Sequence, residues 1–108
     1  MIAGVIKGVL KEELDNSLRL KRNYEKELRR LPRGSLIRKK VKGRIYFYLE
    51  VWEEGKPRFI YQGVQCSKKD LEKYERAKKL RSQYKHQVSV LHKRIVFLRS
   101  SLRGNKPI

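Results

Sequence analysis

The sequence predicts an α+β fold: a long helix, a three-stranded antiparallel meander and a second long helix, with the helices paired as an antiparallel coiled coil. Three observations lead there. Residues 34–64 contain three β-rich runs punctuated by Lys42-Gly43 and Glu54-Gly55, and X-Gly pairs between such runs signal tight hairpin turns. Apolar residues recur at spacings of three and four on both sides of that stretch, the period of a helix packed along one face. Boundary residues fall between the two patterns, with Pro32 after the first helical stretch and Ser67 before the second.

The first eight residues (MIAGVIKG) combine two glycines with β-branched side chains and have no clear state; they fit a frayed start, an edge strand or a first helical turn. Gly4 and Gly8 stand four apart, a spacing that in some helices marks close packing. A helix is expected over residues 9–31. Leu10, Leu14 and Leu18 lie four apart, and Tyr24, Leu28 and Leu31 continue the stripe one face over. Glu12, Glu13 and Asp15 near the start and Arg29 and Arg30 at the end suit the helix dipole. Pro32 stops it, because the residue before a proline is pushed out of helical geometry.

The meander is expected over residues 34–65. In its middle strand Ile45, Phe47, Leu49 and Val51 alternate with Tyr46, Tyr48, Glu50 and Trp52, so the two sets point to opposite faces. A two-residue turn at Glu54-Gly55 pairs Tyr48 with Tyr61 and Leu49 with Ile60. The aliphatic face is the better candidate to pack on helices. The other face then holds Tyr46, Tyr48, Trp52, Phe59 and Tyr61, bordered by Lys39.

The second helix is expected over residues 67–102, with Ser67 as N-cap and Asp70 at the third helical position. Its apolar positions are Tyr74, Ala77, Tyr84, Val88, Leu91, Ile95, Leu98 and Leu102, a heptad seam if Arg81 interrupts once. Val90, Val96 and Phe97 widen the stripe. The last part of this helix outreaches its partner, so a homodimer through the C-terminal helix is expected, with the N-terminal apolar segment as the rival cover. Residues 103–108 form a tail, and the whole is expected to be one domain.

Charge directs the functional reading. The chain of 108 residues has 29 Lys and Arg against 11 Asp and Glu, a formal net charge of +18. Such an imbalance opposes compaction and suits a polyanionic partner. From Arg76 to Lys106 the sequence holds Arg76, Lys78, Lys79, Arg81, Lys85, Lys93, Arg94, Arg99, Arg103 and Lys106 without one acid. A solvated helix ordinarily interleaves both signs. A second cluster comprises Arg29, Arg30, Arg33, Arg38, Lys39, Lys40, Lys42 and Arg44. The aromatic face suggests stacking of unpaired bases on Tyr46, Tyr48, Trp52 and Tyr61, beside Lys39. Insertion of the ribbon of residues 38–44 into a DNA groove and packing of the rings against a helix or a partner subunit are the other readings.

Catalytic and metal signals are weak. Cys66 is the only cysteine and reads as a small, inert residue more readily than as a thiolate, although it lies just before a helix N-terminus. His86 and His92 are six apart and off one helical face. Glu50, Glu53 and Glu54 surround a turn without general-acid spacing, and no P-loop or Ser/His/Asp set occurs. A non-enzymatic, cytoplasmic, nucleic-acid-binding protein is expected, with no cofactor, no metal and no membrane association.

The segments LPRGSL (31–36), GRIYFYL (43–49), Gly55-Lys56 and YQG (61–63) resemble a family of short basic prokaryotic and phage proteins. That family shows the pattern LP-x-GS, G-R-x-Y-x-Y-L and Y-x-G ahead of a basic helix. The resemblance spans roughly residues 28–100 and implies the helix–meander–helix order and an association with mobile elements. The family has no assigned activity, so no functional residue transfers. Its mobile-element setting gives the second functional expectation: a protein that inhibits or assists a nucleic-acid machine such as an RNA-guided nuclease, as anti-CRISPR proteins do. A third is a helical-hairpin scaffold of the prefoldin kind, which needs no charge of this size.

Overall fold

The computed structural model describes residues 2–104, with side chains from Gly4 onward. Helix α1 (Ile2–Arg30) is followed by strands β1 (Ser35–Val41), β2 (Arg44–Glu53) and β3 (Lys56–Gly63) and by helix α2 (Lys68–Arg103). The strands form one antiparallel sheet in the order β1-β2-β3, and the two helices pack against each other. The chain divides into two compact units. One joins α1 to α2 from Gln83 onward, and the other is Leu31–Ser82.

In the helical unit, Leu14 shares a hollow with Val96 and Leu102, and the Tyr24 ring lies 5.5 Å from that of Tyr84. Moving forward along α1 therefore means moving backward along α2: the pair is antiparallel. Leu91, Ile95 and Leu98 are buried at its centre, where α2's heptad seam faces α1. The expected Leu10, Leu14 and Leu18 are half-buried, and the seam of α1 also takes in polar residues. It runs through Leu10, Leu14, Ser17, Lys21, Tyr24 and Leu28 in alternating steps of four and three, all of them buried or half-buried. Ser17 is the most buried residue, 1% exposed. A small side chain there lets the two backbones approach, and the half-buried Lys21 keeps its ammonium 3.9 Å from Glu25.

Helix α1 starts at Ile2 instead of Val9. Glycines and β-branched residues argue against helix locally, but once a helix exists each further residue adds a hydrogen bond without a new nucleation cost. A Cβ placed on Gly4 or Gly8 meets nothing within 4 Å, so their spacing serves no close packing among the described residues.

In the second unit, Lys42 and Gly43 (φ 51° and 80°) and Glu54 and Gly55 (φ 51° and 75°) form the two hairpin turns. Positive φ at both central positions is the signature of the two-residue turn whose twist matches the strands. The register pairs Tyr48 with Tyr61 and Leu49 with Ile60, as the turn at Glu54-Gly55 requires. Between Phe47 and Tyr48 the register shifts, because Phe47 pairs with Gly63 and leaves Gln62 as an extra residue in β3. Val51 is buried on the aliphatic face, with Leu36, Phe47 and Leu49 half-buried. Ala77 of α2 is buried within this unit. Leu71 and Tyr74 share a hollow with Leu36, Ile37 and Glu50, which places the first turns of α2 against β1. Ser67 caps that helix: its Oγ accepts from the Asp70 amide at 3.1 Å and its carbonyl from the Leu71 amide at 3.0 Å.

Candidate nucleic-acid interface

The β1–β2 hairpin concentrates cations around a ring cluster. No acid occurs between Arg33 and Leu49. Arg38, Lys39, Lys40, Lys42 and Arg44 are all exposed. Strand alternation divides them. Lys39 and Arg44 share the aromatic face, Arg38 and Lys40 the aliphatic one, and Lys42 occupies the turn. The Arg38 guanidinium lies 5.9 Å from the centre of the Phe47 ring, its cross-strand partner.

On the aromatic face Lys39 reaches across the sheet. Its ammonium stands 5.1 Å from the centre of the Tyr48 ring and 4.2 Å from that of Phe59. Tyr61 leans against both Tyr48 (5.5 Å) and Tyr46 (6.3 Å), tilted by about half a right angle to each. These geometries combine cation–π attraction with aromatic pair packing, and they order the face without covering it. Trp52 is 62% exposed, Tyr61 53% and Phe59 44%, while Tyr46 and Tyr48 are half-buried. The expected stacking face of Tyr46, Tyr48, Trp52 and Tyr61 lies on one side of the sheet, and the strand register sets the Tyr61 ring against two of the tyrosines.

The sheet is electrically polar along its strands. Cations gather without acids at the Lys42-Gly43 end, whereas at the other turn Glu53 and Glu54 are balanced by Lys56 and Arg58. Arg58 is already paired there, its guanidinium 3.2 Å from the Glu53 carboxylate. Trp52 stands at this charge-balanced end, opposite Pro57. Glu50, opposite Phe59, marks the boundary between the two halves.

The cations of α2 fan outward instead of forming one stripe. At about 100° per residue, and taking Ala77 as the inward direction, Lys79 points away from the core while Arg76 and Lys78 lie on opposite flanks. Relative to Leu91 and Ile95, Lys93 points away while Lys85 and Arg94 flank the seam. Among the described residues none of these six makes an ion pair. Arg81 is different. It is half-buried on the seam, and its guanidinium donates to the Pro32 carbonyl oxygen at 2.6 Å. Arg29 and Arg30 close α1, with Arg30 3.3 Å from Glu27 on the surface, and Arg33 is exposed in the following turn.

Among the described residues no group of three His, Cys, Asp or Glu could hold a metal ion, and no helix is long and apolar enough to cross a membrane. Cys66 is a free, half-buried thiol. No family model, curated protein or solved structure matches the chain.

Proposed function

We propose that this chain is a small non-catalytic nucleic-acid-binding protein that grips phosphate backbone with its acid-free β1–β2 hairpin and with the outward cations of α2. The observation that carries the reading is the hairpin: Arg38, Lys39, Lys40, Lys42 and Arg44 are exposed on a ribbon that holds no acid of its own from Arg33 to Leu49, although Arg38 shares a hollow with Glu50 and Glu75, and they stand beside rings that remain open. Fixed cations on a rigid ribbon meet phosphates at little entropic cost, and each contact releases condensed counterions. Arg33, Arg76, Lys78 and Lys79 in the unit of the hairpin, and Arg29, Lys85, Lys93 and Arg94 in the helical unit, are the further phosphate contacts of this proposal. Their fan over α2 favours a bent or single-stranded polymer over one straight duplex, which touches only part of the arc. Val90, Val96 and Phe97 are exposed on α2, which supports a homodimer through that helix as part of the same proposal.

Fluorescence anisotropy with labelled single- and double-stranded DNA and RNA tests the reading. Binding at about 50 mM salt should weaken steeply by about 200 mM, as expected when several phosphates are neutralised. No binding to any of the four at the lower salt rejects the proposal.

A further inference from the structure

We infer that the aromatic face selects unpaired bases, and that the base stacks on Tyr61 with Tyr46 beside it rather than on Trp52, the most exposed ring. The inference rests on the nucleic-acid reading and specifies its substrate class as single-stranded nucleic acid. Two rings of the face already have an occupant, since the Lys39 ammonium lies over Tyr48 and Phe59. That leaves Tyr61 and Trp52 as the open surfaces. Their surroundings differ in net charge. Trp52 neighbours Glu53 and Glu54, which Arg58 and Lys56 balance, so a phosphate flanking a base stacked there meets no net positive charge. Tyr61 is paired with Tyr48 in the half of the sheet that ends in Lys42 and Arg44. Its backbone is set by the bulge at Gln62, and its ring is buttressed by Tyr46 and Tyr48. A ring held in place loses little freedom when a base stacks on it, and every base offers a π-face, so sequence preference is weak. Lys39, over the adjoining ring, stands ready for the phosphate on one side of that base.

Duplex DNA cannot present an unstacked base to this face, so the discriminating measurement compares strands. Oligothymidylate and oligouridylate, which separate DNA from RNA, should bind more tightly than a duplex of the same length. Tyr61→Ala should weaken single-strand binding by about five- to a hundredfold, the range for losing one base–ring stack. Tyr61→Phe should retain it, and Trp52→Ala should cost less than Tyr61→Ala. Because Tyr61→Ala could also loosen the sheet, the unaltered chain supplies a second readout. On titration with oligothymidylate, the ring protons of Tyr61 and Tyr46 should shift more than those of Trp52. Equal loss of single-strand and duplex binding in Tyr61→Ala, or ring shifts centred on Trp52, overturns the inference while leaving phosphate binding intact. Absence of any nucleic-acid binding instead removes the reading on which it rests.

Discussion

The guanidinium of Arg81 donates a 2.6 Å hydrogen bond to the carbonyl oxygen of Pro32, 49 residues earlier in the chain. Pro32 follows the end of α1, where carbonyls lack helical partners, and a part-buried carbonyl without a donor costs free energy. Arg81 thus occupies a position on the heptad seam where an apolar residue is expected, and it does so as a strut. Arg81→Met keeps the length of the side chain but removes the donor. It should lower stability by about 1.5–3 kcal/mol, as for hydrogen bonds from charged groups. Thermal denaturation followed by circular dichroism checks this, and Arg81→Lys should recover only part, since an ammonium lacks the planar fork. A melting temperature unchanged in Arg81→Met rules out the strut.

Glycines in this chain have opposite roles, and substitution should separate them. Gly34 has φ +97°, and a Cβ there would lie 2.9 Å from the Glu50 carbonyl oxygen and equally close to Leu49 and Val51. Backbone strain of about 1–3 kcal/mol adds to that clash, so Gly34→Ala should destabilise by about 2 kcal/mol or more. Gly8 lies within α1 with open space around it. Gly8→Ala should therefore stabilise by about 0.5–1 kcal/mol through helix propensity alone. Urea titration of both variants gives the two signs directly.

Much of the fold is legible in the sequence because its turns are encoded by residue type. Gly43 and Gly55 permit the positive φ the hairpins need, and Ser67 with Asp70 announces the start of α2. What escaped has physical reasons. Ser17 and Lys21 do not look apolar, so their place on the seam of α1, beside the half-buried Leu18, does not show until burial is known. The bulge at Gln62 leaves no compositional mark. Arg81 reads as one more surface cation because its partner is remote in sequence. The candidate site is legible as two acid-poor clusters and a ring-rich strand face. The outward fan of α2's cations requires knowing which side of the helix is buried.

The turn residues Lys42 and Glu54 share one conformation, φ 51°, but one belongs to the cationic end of the sheet and the other to the charge-balanced end. Asn tolerates this region better than Lys or Glu. Both Lys42→Asn and Glu54→Asn should therefore raise stability, by about 0.5–1 kcal/mol, within the range that relieved strain at one residue allows. Their effects on binding should diverge. Lys42→Asn removes a cation from the hairpin tip and should weaken nucleic-acid binding, reducing the slope of log affinity against log salt by about 1. Glu54→Asn removes a repelling charge and should leave that slope unchanged. Anisotropy titrations at several salt concentrations decide it; equal slopes in the two variants exclude Lys42 from phosphate contact.

The polar seam of α1 sets the separation of the helices. Ser17 is fully enclosed where α1 faces the buried Leu91, Ile95 and Leu98 row of α2. A larger side chain has no space to enter without moving a helix. Ser17→Leu should cost about 1–3 kcal/mol, the usual penalty for overpacking a close-packed interior. Ser17→Ala keeps the volume and loses only a hydroxyl, so it should stay within about 1 kcal/mol of the native chain. Lys21 is one seam step further along and half-buried, its ion pair with Glu25 largely at the surface. Such a pair contributes little, whereas Leu at that position extends the apolar seam, so Lys21→Leu should stabilise. Denaturant midpoints of the three variants should rank Lys21→Leu above Ser17→Ala and Ser17→Leu lowest. If Ser17→Leu matches the native chain, the helices are not held at the distance that Ser17 dictates.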